Sequence, residues 1–154
     1  MDSKAQIADI FAEFSRESGV PLELSPDDSA TLVVGDVIVN LQYLAASESL
    51  LAWATVGFLG ADVNAPRRVR YLLEKHDALL KSHGFAFSLD PEDDDRVLAH
   101  DFHVTEYFET GDRLAAWIKD LVAVVRETRA ELAAVAPYVD DEPFAADADG
   151  EEVQ

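Results

Sequence analysis

Three strand-like segments follow one another between residues 31 and 58, and this run constrains the fold more than any other feature of the chain. The segments cover residues 31–34, 37–44 and 50–58. Gly35-Asp36 is the right length for a tight hairpin turn, and residues 45–49 form a second short connection. The second segment alternates apolar and polar residues, whereas the third is apolar on both faces. The run therefore predicts an antiparallel meander.

Helical patterns surround the meander. Apolar residues recur at helical spacing from about residue 3 to 18, where Gly19 ends the pattern, and again over about 65–82 and 112–135. Two further strand-like runs lie between the second and third helices. The order α-β-β-β-α-β-β-α predicts an α+β domain with one antiparallel sheet packed by helices.

The sequence DPEDDD at residues 90–95 has two interpretations, a calcium loop or a hairpin turn. A calcium loop of the EF-hand type needs glycine at position 6 and a glutamate at position 12, but these positions hold Asp95 and Asp101. The flanking residues alternate as strands do, with Pro91 between them. We therefore predict a solvated hairpin turn, and no metal site or cofactor.

Charge narrows the range of partners. The chain has 31 acidic and 12 basic residues and a formal net charge of -19, which repels phosphate backbones and anionic membrane surfaces. The N-terminal segment is amphipathic and acidic, unlike a signal peptide, and the longest apolar stretch is too short to cross a bilayer. We expect a cytoplasmic protein with no nucleic-acid partner and no membrane insertion.

The end of the sequence differs in composition from the rest. Residues 137–154 contain seven acidic residues and no basic one. Such a segment lacks the apolar surface needed to offset the entropy of ordering. We expect a single domain over residues 1–136, followed by an acidic disordered tail over residues 137–154.

Candidate catalytic groups do not form a recognisable motif. His76 and His83 are seven residues apart on the second predicted helix, too far to share one ion. His100 and His103 have odd separation on a strand and so point to opposite faces. No GxSxG motif marks a nucleophile. We predict a protein without catalytic activity, and a small hydrolase is the alternative that these histidines leave open.

Several stretches resemble the class I chaperones of bacterial type III secretion. They are the strand region GVPLELSPDDSATLVVGDVIVNLQYLAASESLLAWATVGFL, the segment LLEKHDALLKSHGFAFSLDPEDDDRVL and the last helix DRLAAWIKDLVAVVRE. The resemblance implies a homodimer that binds the N-terminal region of a secreted effector polypeptide as an extended chain. It also implies that the effector is kept secretion-competent without ATP. The alternative is a regulatory or adaptor protein of the same fold, similar to YbjN, that binds a folded cytoplasmic partner.

Two sets of site residues follow. The third strand has one apolar face more than a monomer core needs, so we expect it to bind the client together with parts of the first helix and second strand. The expected client-binding residues are Ile7, Ile10, Phe14, Val39, Leu41, Trp53 and Phe58. The apolar stripe of the second helix suits an isologous pairing, and the middle helix has this role in the family that the chain resembles. The expected dimer residues are Val69, Leu72, Leu73, His76, Leu79 and Leu80.

Overall fold

The computed structural model of the protein describes residues 2–77 and 82–135. The helices are α1 (Ser3–Ser18), α2 (Ala65–Lys75) and α3 (Gly111–Ala133). The strands are β1 (Ser29–Val34), β2 (Val37–Leu44), β3 (Ser49–Phe58), β4 (Ala86–Asp90) and β5 (Asp93–Val104). This order confirms the predicted α+β arrangement.

The strands form one antiparallel sheet in the order β1-β2-β3-β5-β4. Gly35 has a φ of +62°, which a tight turn between β1 and β2 requires and which glycine adopts without strain. The acidic segment forms the β4–β5 hairpin, as predicted. Its turn is closed by the Glu92 backbone N–H, which donates to the Asp90 carboxylate at 2.9 Å. The edges of the sheet are therefore β1 and β4.

The core lies between the sheet and the helices. α3 packs across β2, β3 and β5, and α1 packs against α3. The apolar stripe of α1 and that of α3 are both buried in this layer. Each buried leucine, isoleucine or phenylalanine side chain contributes about 1.5–3 kcal/mol relative to exposure. Among the helices of the described residues, none has the length and the apolar character that crossing a membrane requires.

A β-bulge in β3 reverses the alternation of that strand. Thr55 pairs with Leu98 and Gly57 pairs with Val97, so Val56 is an extra residue. Without the bulge, Phe58 would lie on the same side of the sheet as Val56. Because of the bulge, it lies on the opposite side. The Arg129 guanidinium stabilises the bulge by donating to the carbonyl oxygens of Thr55 and Val56, each at 3.0 Å.

Polar contacts hold α2 on α3. The side chain of Lys75 is only 5% exposed, and its Nζ lies 2.8 Å from Glu131 and 3.5 Å from Glu127. The Tyr71 hydroxyl also donates to Glu131. Hydrogen bonds from Lys75 and Tyr71 lower the pKa of Glu131, while burial raises the pKa of Tyr71. The α-helix ends at Lys75, before the predicted end near residue 82.

Candidate binding surfaces

The sheet has one face that carries no described helix. Side chains that alternate toward α1 and α3 are buried, and those on the opposite side form the surface called here the open face. The open face consists of Thr31, Val33, Ile38, Asn40, Gln42, Leu44, Leu51, Trp53, Thr55, Phe58, Ala86, Ser88, Arg96, Leu98, His100, Phe102 and Val104. Arg96 pairs with Phe58, and its guanidinium lies 5.8 Å from the centre of that ring. It is the one Asp, Glu, Lys or Arg residue in this set, although such residues make up 28% of the chain.

Large apolar side chains are exposed on the open face. Val33, Ile38 and Phe102 are 62%, 55% and 59% exposed, and Phe58 is also exposed. The Trp53 side chain is half-buried between them. Single exposed apolar residues are ordinary, but a contiguous apolar patch on a soluble protein marks an interaction surface. The open face is therefore the strongest candidate for a binding surface among the described residues.

Hydrogen-bonding groups cross the middle of the open face. Asn40 pairs with Trp53, Trp53 with His100 and His100 with Ala86, so these residues form one row across four strands. The amide of Asn40 donates to the carbonyl oxygen of Trp53 at 3.5 Å. Burial lowers the pKa of His100, despite the opposing attraction of Asp101. The row therefore offers neutral polar groups at physiological pH, between the exposed apolar side chains of the same face.

The two edges of the sheet differ in how they are protected. The β1 strand, Ser29–Val34, reads SATLVV and has neither a charged residue nor a proline. Charges, prolines and bulges are the usual means by which edge strands avoid pairing with other chains. The β4 edge is only five residues long, and it ends at the acidic turn. β1 is therefore the edge more open to an added strand.

A second apolar surface lies between α2 and β4 and is called here the α2–β4 groove. Its apolar lining includes Leu59, Val69, Leu72, Leu73, Phe87 and Leu89, and His76 lines it as well. Leu72 is buried at the bottom of this groove, whereas Leu73 is 68% exposed at its rim. The Nδ1 atom of His76 accepts a hydrogen bond from the Phe87 backbone N–H at 3.1 Å. The groove is thus apolar and exposed, and a histidine contributes to its lining.

Most of the predicted client-binding residues are buried and do not lie on an exposed surface. Ile7, Ile10, Phe14, Val39 and Leu41 are buried in the core between the sheet and the helices. A client could reach them only if α1 and α3 moved away, so the candidate surface does not include them. Their helical and alternating patterns reflect core packing instead.

Trp53 and Phe58, the other two predicted client residues, both lie on the open face. Sequence reasoning missed Val33, Ile38 and Phe102, which are the most exposed apolar residues of that face. The available signal was the position of Ile38, which alternates with Val37 and Val39 on β2 and belongs to the face of Asn40 and Gln42.

The predicted dimer residues lie around the α2–β4 groove. Val69 and Leu73 are exposed, Leu72 is buried, and all three line the groove together with His76. Leu79 and Leu80 fall outside the described residues. The structure thus brings four of the six predicted positions together on one surface.

His103 and Asp101 form a packed pair on the helix side of the sheet. His103 Nε2 lies 3.0 Å from the Asp101 carboxylate, which also accepts the Trp117 indole N–H at 2.9 Å. The imidazole stacks on Tyr107 with 3.7 Å between ring centroids. His100 lies on the other face, as predicted. Within residues 2–77 and 82–135, no group of His, Cys, Asp or Glu side chains has a metal-binding arrangement.

A sheet covered by helices on one side, with large apolar side chains exposed on the other, offers a surface for binding another protein. The chain belongs to the Tir chaperone protein (CesT) family, whose profile matches residues 9–129. This result confirms the resemblance to class I type III secretion chaperones. Family and fold are those of non-catalytic chaperones.

Solved structures support the fold. A structure of the HopA1-SchA chaperone-effector complex contains a chain with a TM-score of 0.70 and 18% identity, covering 83% of this chain and 96% of that one. A chain of the ExsC-ExsE complex has a TM-score of 0.69 and 21% identity, covering 86% and 97%. YbjN from E. coli matches with a TM-score of 0.52 and 14% identity, covering 82% and 90%. No curated protein sequence matches the chain.

Proposed function

We propose that the protein is an ATP-independent, non-catalytic chaperone that binds the N-terminal region of a type III secreted effector and keeps it secretion-competent. The observation that carries this proposal is the open face, which exposes large apolar side chains and carries no acidic residue in the set named above, on a chain with a net charge of -19. A partner that covers this face removes apolar side chains from water. Two of the similar structures are described as complexes, one of them as a chaperone-effector complex.

An extended client segment fits the geometry of the sheet. The β1 edge offers backbone groups for strand addition, and Val33 places the open face directly beside that edge. An added strand has alternating side chains, so half of them can lie over the open face. Burial of each large apolar side chain contributes about 1.5–3 kcal/mol, and each net hydrogen bond about 0.5–1.5 kcal/mol. Binding of this kind needs neither catalysis nor nucleotide.

A homodimer through the α2–β4 groove completes the proposal. The exposed Val69 and Leu73 side chains lie one helical turn apart, so two copies of α2 can interdigitate around a two-fold axis. The net negative charge keeps separate dimers apart in the bacterial cytoplasm, where we place the protein.

Co-expression tests the client proposal. Tagged protein is produced together with N-terminal fragments of candidate secreted proteins from the same source, and captured complexes are treated with protease. We expect a protected fragment segment, capture without added nucleotide, and loss of capture on Trp53→Asp. Val63→Asp is the matched control, because it introduces the same charge at an exposed valine outside the open face.

Two results would contradict the proposal. Capture that survives Trp53→Asp in a folded variant would remove the open face from the client site. Capture of folded full-length proteins only, with no binding of isolated N-terminal fragments, would favour the adaptor function related to YbjN. Circular dichroism of both variants distinguishes lost binding from lost folding.

A further inference from the structure

Arg96 carries the one charge among the open-face residues named above, and the fold leaves part of its guanidinium without an acceptor. Its Nε atom is shielded from solvent and has no hydrogen-bond partner among the residues that the structure describes. Carboxylate oxygens of Asp90 and Asp93 lie 3.8 Å from Nε and from Nη2. Hydrogen bonds from N–H to oxygen are about 2.7–3.2 Å long, so neither contact is one. The charge of Arg96 is therefore balanced, whereas its donors are not fully used.

The turn of the β4–β5 hairpin holds the two carboxylates at this distance. Asp90 accepts the backbone N–H of Glu92 at 2.9 Å, and Asp93 accepts that of Asp95 at 3.2 Å. One oxygen of each carboxylate is thus bound to the turn, and the other oxygen is the one near Arg96. A closer approach to the guanidinium would compete with these bonds. The unused donor is therefore a consequence of how the hairpin folds.

Arg96 lies across the open face from the β1 edge, with exposed apolar side chains between them. Val33 is paired with Ile38 on β1 and β2, and Phe58 is paired with Arg96 on β3 and β5. The strand order places β5 three strands from β1, which is about 14 Å at the usual spacing. About four or five extended residues span this distance. A client paired with the β1 edge can therefore continue across the open face as far as Arg96.

We propose that Arg96 is a specificity-determining residue of the open face, which binds a main-chain carbonyl oxygen of the client where the extended chain crosses β5. The inference rests on the proposed client binding. A chain that leaves the β1 edge has carbonyl groups without strand partners, and their burial on an apolar surface requires hydrogen-bond donors. The guanidinium presents several N–H donors in one plane, and the side chain is 41% exposed and so can be reached.

Charge decides between a carbonyl and a carboxylate as the bound group. Residues 90–95 contain five acidic residues, and two of them already balance the charge of Arg96. A client carboxylate would add negative charge beside this hairpin and be repelled, whereas a carbonyl oxygen accepts the hydrogen bond without adding charge. A phosphate group carries more negative charge and is disfavoured further. We therefore expect client segments that have no acidic side chain at this point.

Two substitutions of similar size test the hydrogen bond. Arg96→Met removes every donor, and Arg96→Gln retains an uncharged N–H donor, but both remove the ion pairs with Asp90 and Asp93. A purely structural role in the hairpin would therefore affect the two variants equally. Arg113→Met is the control, because Arg113 also lies over an aromatic ring, 5.0 Å from the centre of Tyr107, but belongs to α3. The probe is the protease-protected N-terminal fragment that the parent captures in co-expression, labelled with a fluorophore.

Fluorescence anisotropy with the full chain gives the dissociation constants, and circular dichroism checks the fold of each variant. We expect Arg96→Met to weaken binding about tenfold, the effect of one hydrogen bond from a charged donor. Arg96→Gln and Arg113→Met should each weaken it less than about threefold. Because a carbonyl is uncharged, the ratio between the parent and Arg96→Met should be the same at about 0.05 and 0.5 M salt.

Three results would overturn the inference. They are equal binding by the parent and Arg96→Met, equal weakening in Arg96→Met and Arg96→Gln, and a ratio that falls strongly with salt, which would identify the bound group as a carboxylate. Loss of capture on Trp53→Asp with unchanged binding by Arg96→Met would support client binding at the open face and exclude Arg96 from it. Failure of the parent to capture any fragment would instead refute the proposed function, and with it the inference.

Discussion

Lys75 and Glu131 form an ion pair, and we expect the replacement of each partner to lower the stability of the protein by a different amount. Lys75 is 5% exposed, whereas the Glu131 side chain is 45% exposed. Glu131→Gln leaves a buried ammonium with only the more distant Glu127. Lys75→Met removes the buried charge, keeps the apolar stem and leaves Glu131 in water with the Tyr71 hydroxyl. We therefore expect Glu131→Gln to be the more destabilising change.

The magnitude follows from the exposure of the two partners. Removing one partner of a fully buried ion pair costs about 3–5 kcal/mol, and a charge-assisted hydrogen bond contributes about 1.5–3 kcal/mol. Because Glu131 is half in solvent and Glu127 remains nearby, we reduce this cost to about 1–2 kcal/mol for Glu131→Gln. For Lys75→Met we expect about 0–1 kcal/mol, since the lost attraction is offset by the desolvation that the lysine no longer undergoes.

Urea unfolding followed by circular dichroism measures both values, at two protein concentrations so that any dimer contribution is visible. Arg70→Met is the control: its pair with Glu74 is 82% and 64% exposed, and we expect a change below about 0.5 kcal/mol. A Lys75→Met variant less stable than Glu131→Gln would refute the reasoning. So would a Glu131→Gln variant no different from the control.

The pH dependence of the same contact has a definite sign. The pKa of Glu131 is lowered by hydrogen bonds from Lys75 and Tyr71, so the carboxylate is favoured in the folded state. Its contribution is complete above the ordinary glutamate pKa of about 4.3 and is lost as the pH falls through the lower folded value. The stability difference between the parent and Glu131→Gln should therefore shrink in acid below about pH 4.5, which urea unfolding at several pH values measures.

Four further outcomes are expected in urea or thermal unfolding. Arg129→Ala should lower the free energy of unfolding by about 1–2 kcal/mol, because two carbonyl groups at the bulge lose their donor. Arg126→Ala is the control and should lower it by less than about 0.5 kcal/mol. Equal losses in the two variants would show that Arg129 does not stabilise the bulge. Gly111→Ala should lower the free energy of unfolding by about 1–3 kcal/mol, since the added Cβ would lie 3.0 Å from a backbone nitrogen of α1. An unchanged unfolding midpoint would show that α1 can shift to make room for the methyl group. Asp101→Ala should cost about 1–3 kcal/mol because the indole and imidazole donors lose their acceptor, and a variant as stable as the parent would contradict this. Truncation after Ala136 should leave the melting temperature unchanged, because the removed segment contains seven acidic residues and no base, and a large decrease would refute the single-domain boundary.

The order of elements could be predicted from sequence because its signals are local. Helical spacing, strand alternation and the turn residues at Gly35 and Pro91 each act over a few positions. The structure follows them closely, from α1, which ends before Gly19 with a φ of +75°, to the hairpin at residues 90–93.

The surfaces were harder to predict, because a periodic pattern gives the faces of an element but not which face is covered. Ile7 and Val39 are apolar at regular spacing whether they bind a client or α3, and the structure selects α3. The bulge at Val56 breaks the alternation, and Gly57 is a weak local signal for it that does not fix the register, so only the fold places Phe58 on the open face. Lys75 is similar: its burial depends on two glutamates more than fifty residues away.

The distribution of side-chain size between the two faces of the sheet argues that the open face evolved to be covered. On the helix side, β3 and β5 carry Ala52, Ala54 and Ala99, which are buried and allow α3 to lie close to the strands. On the open side, the same strands carry Trp53 and Phe102. A monomer that used its largest apolar residues for stability would place them inside, where each contributes about 1.5–3 kcal/mol. Here Trp53 and Phe102 lie on the open side, away from the helices, so the free energy of their burial is available to a bound partner, as the proposed function requires.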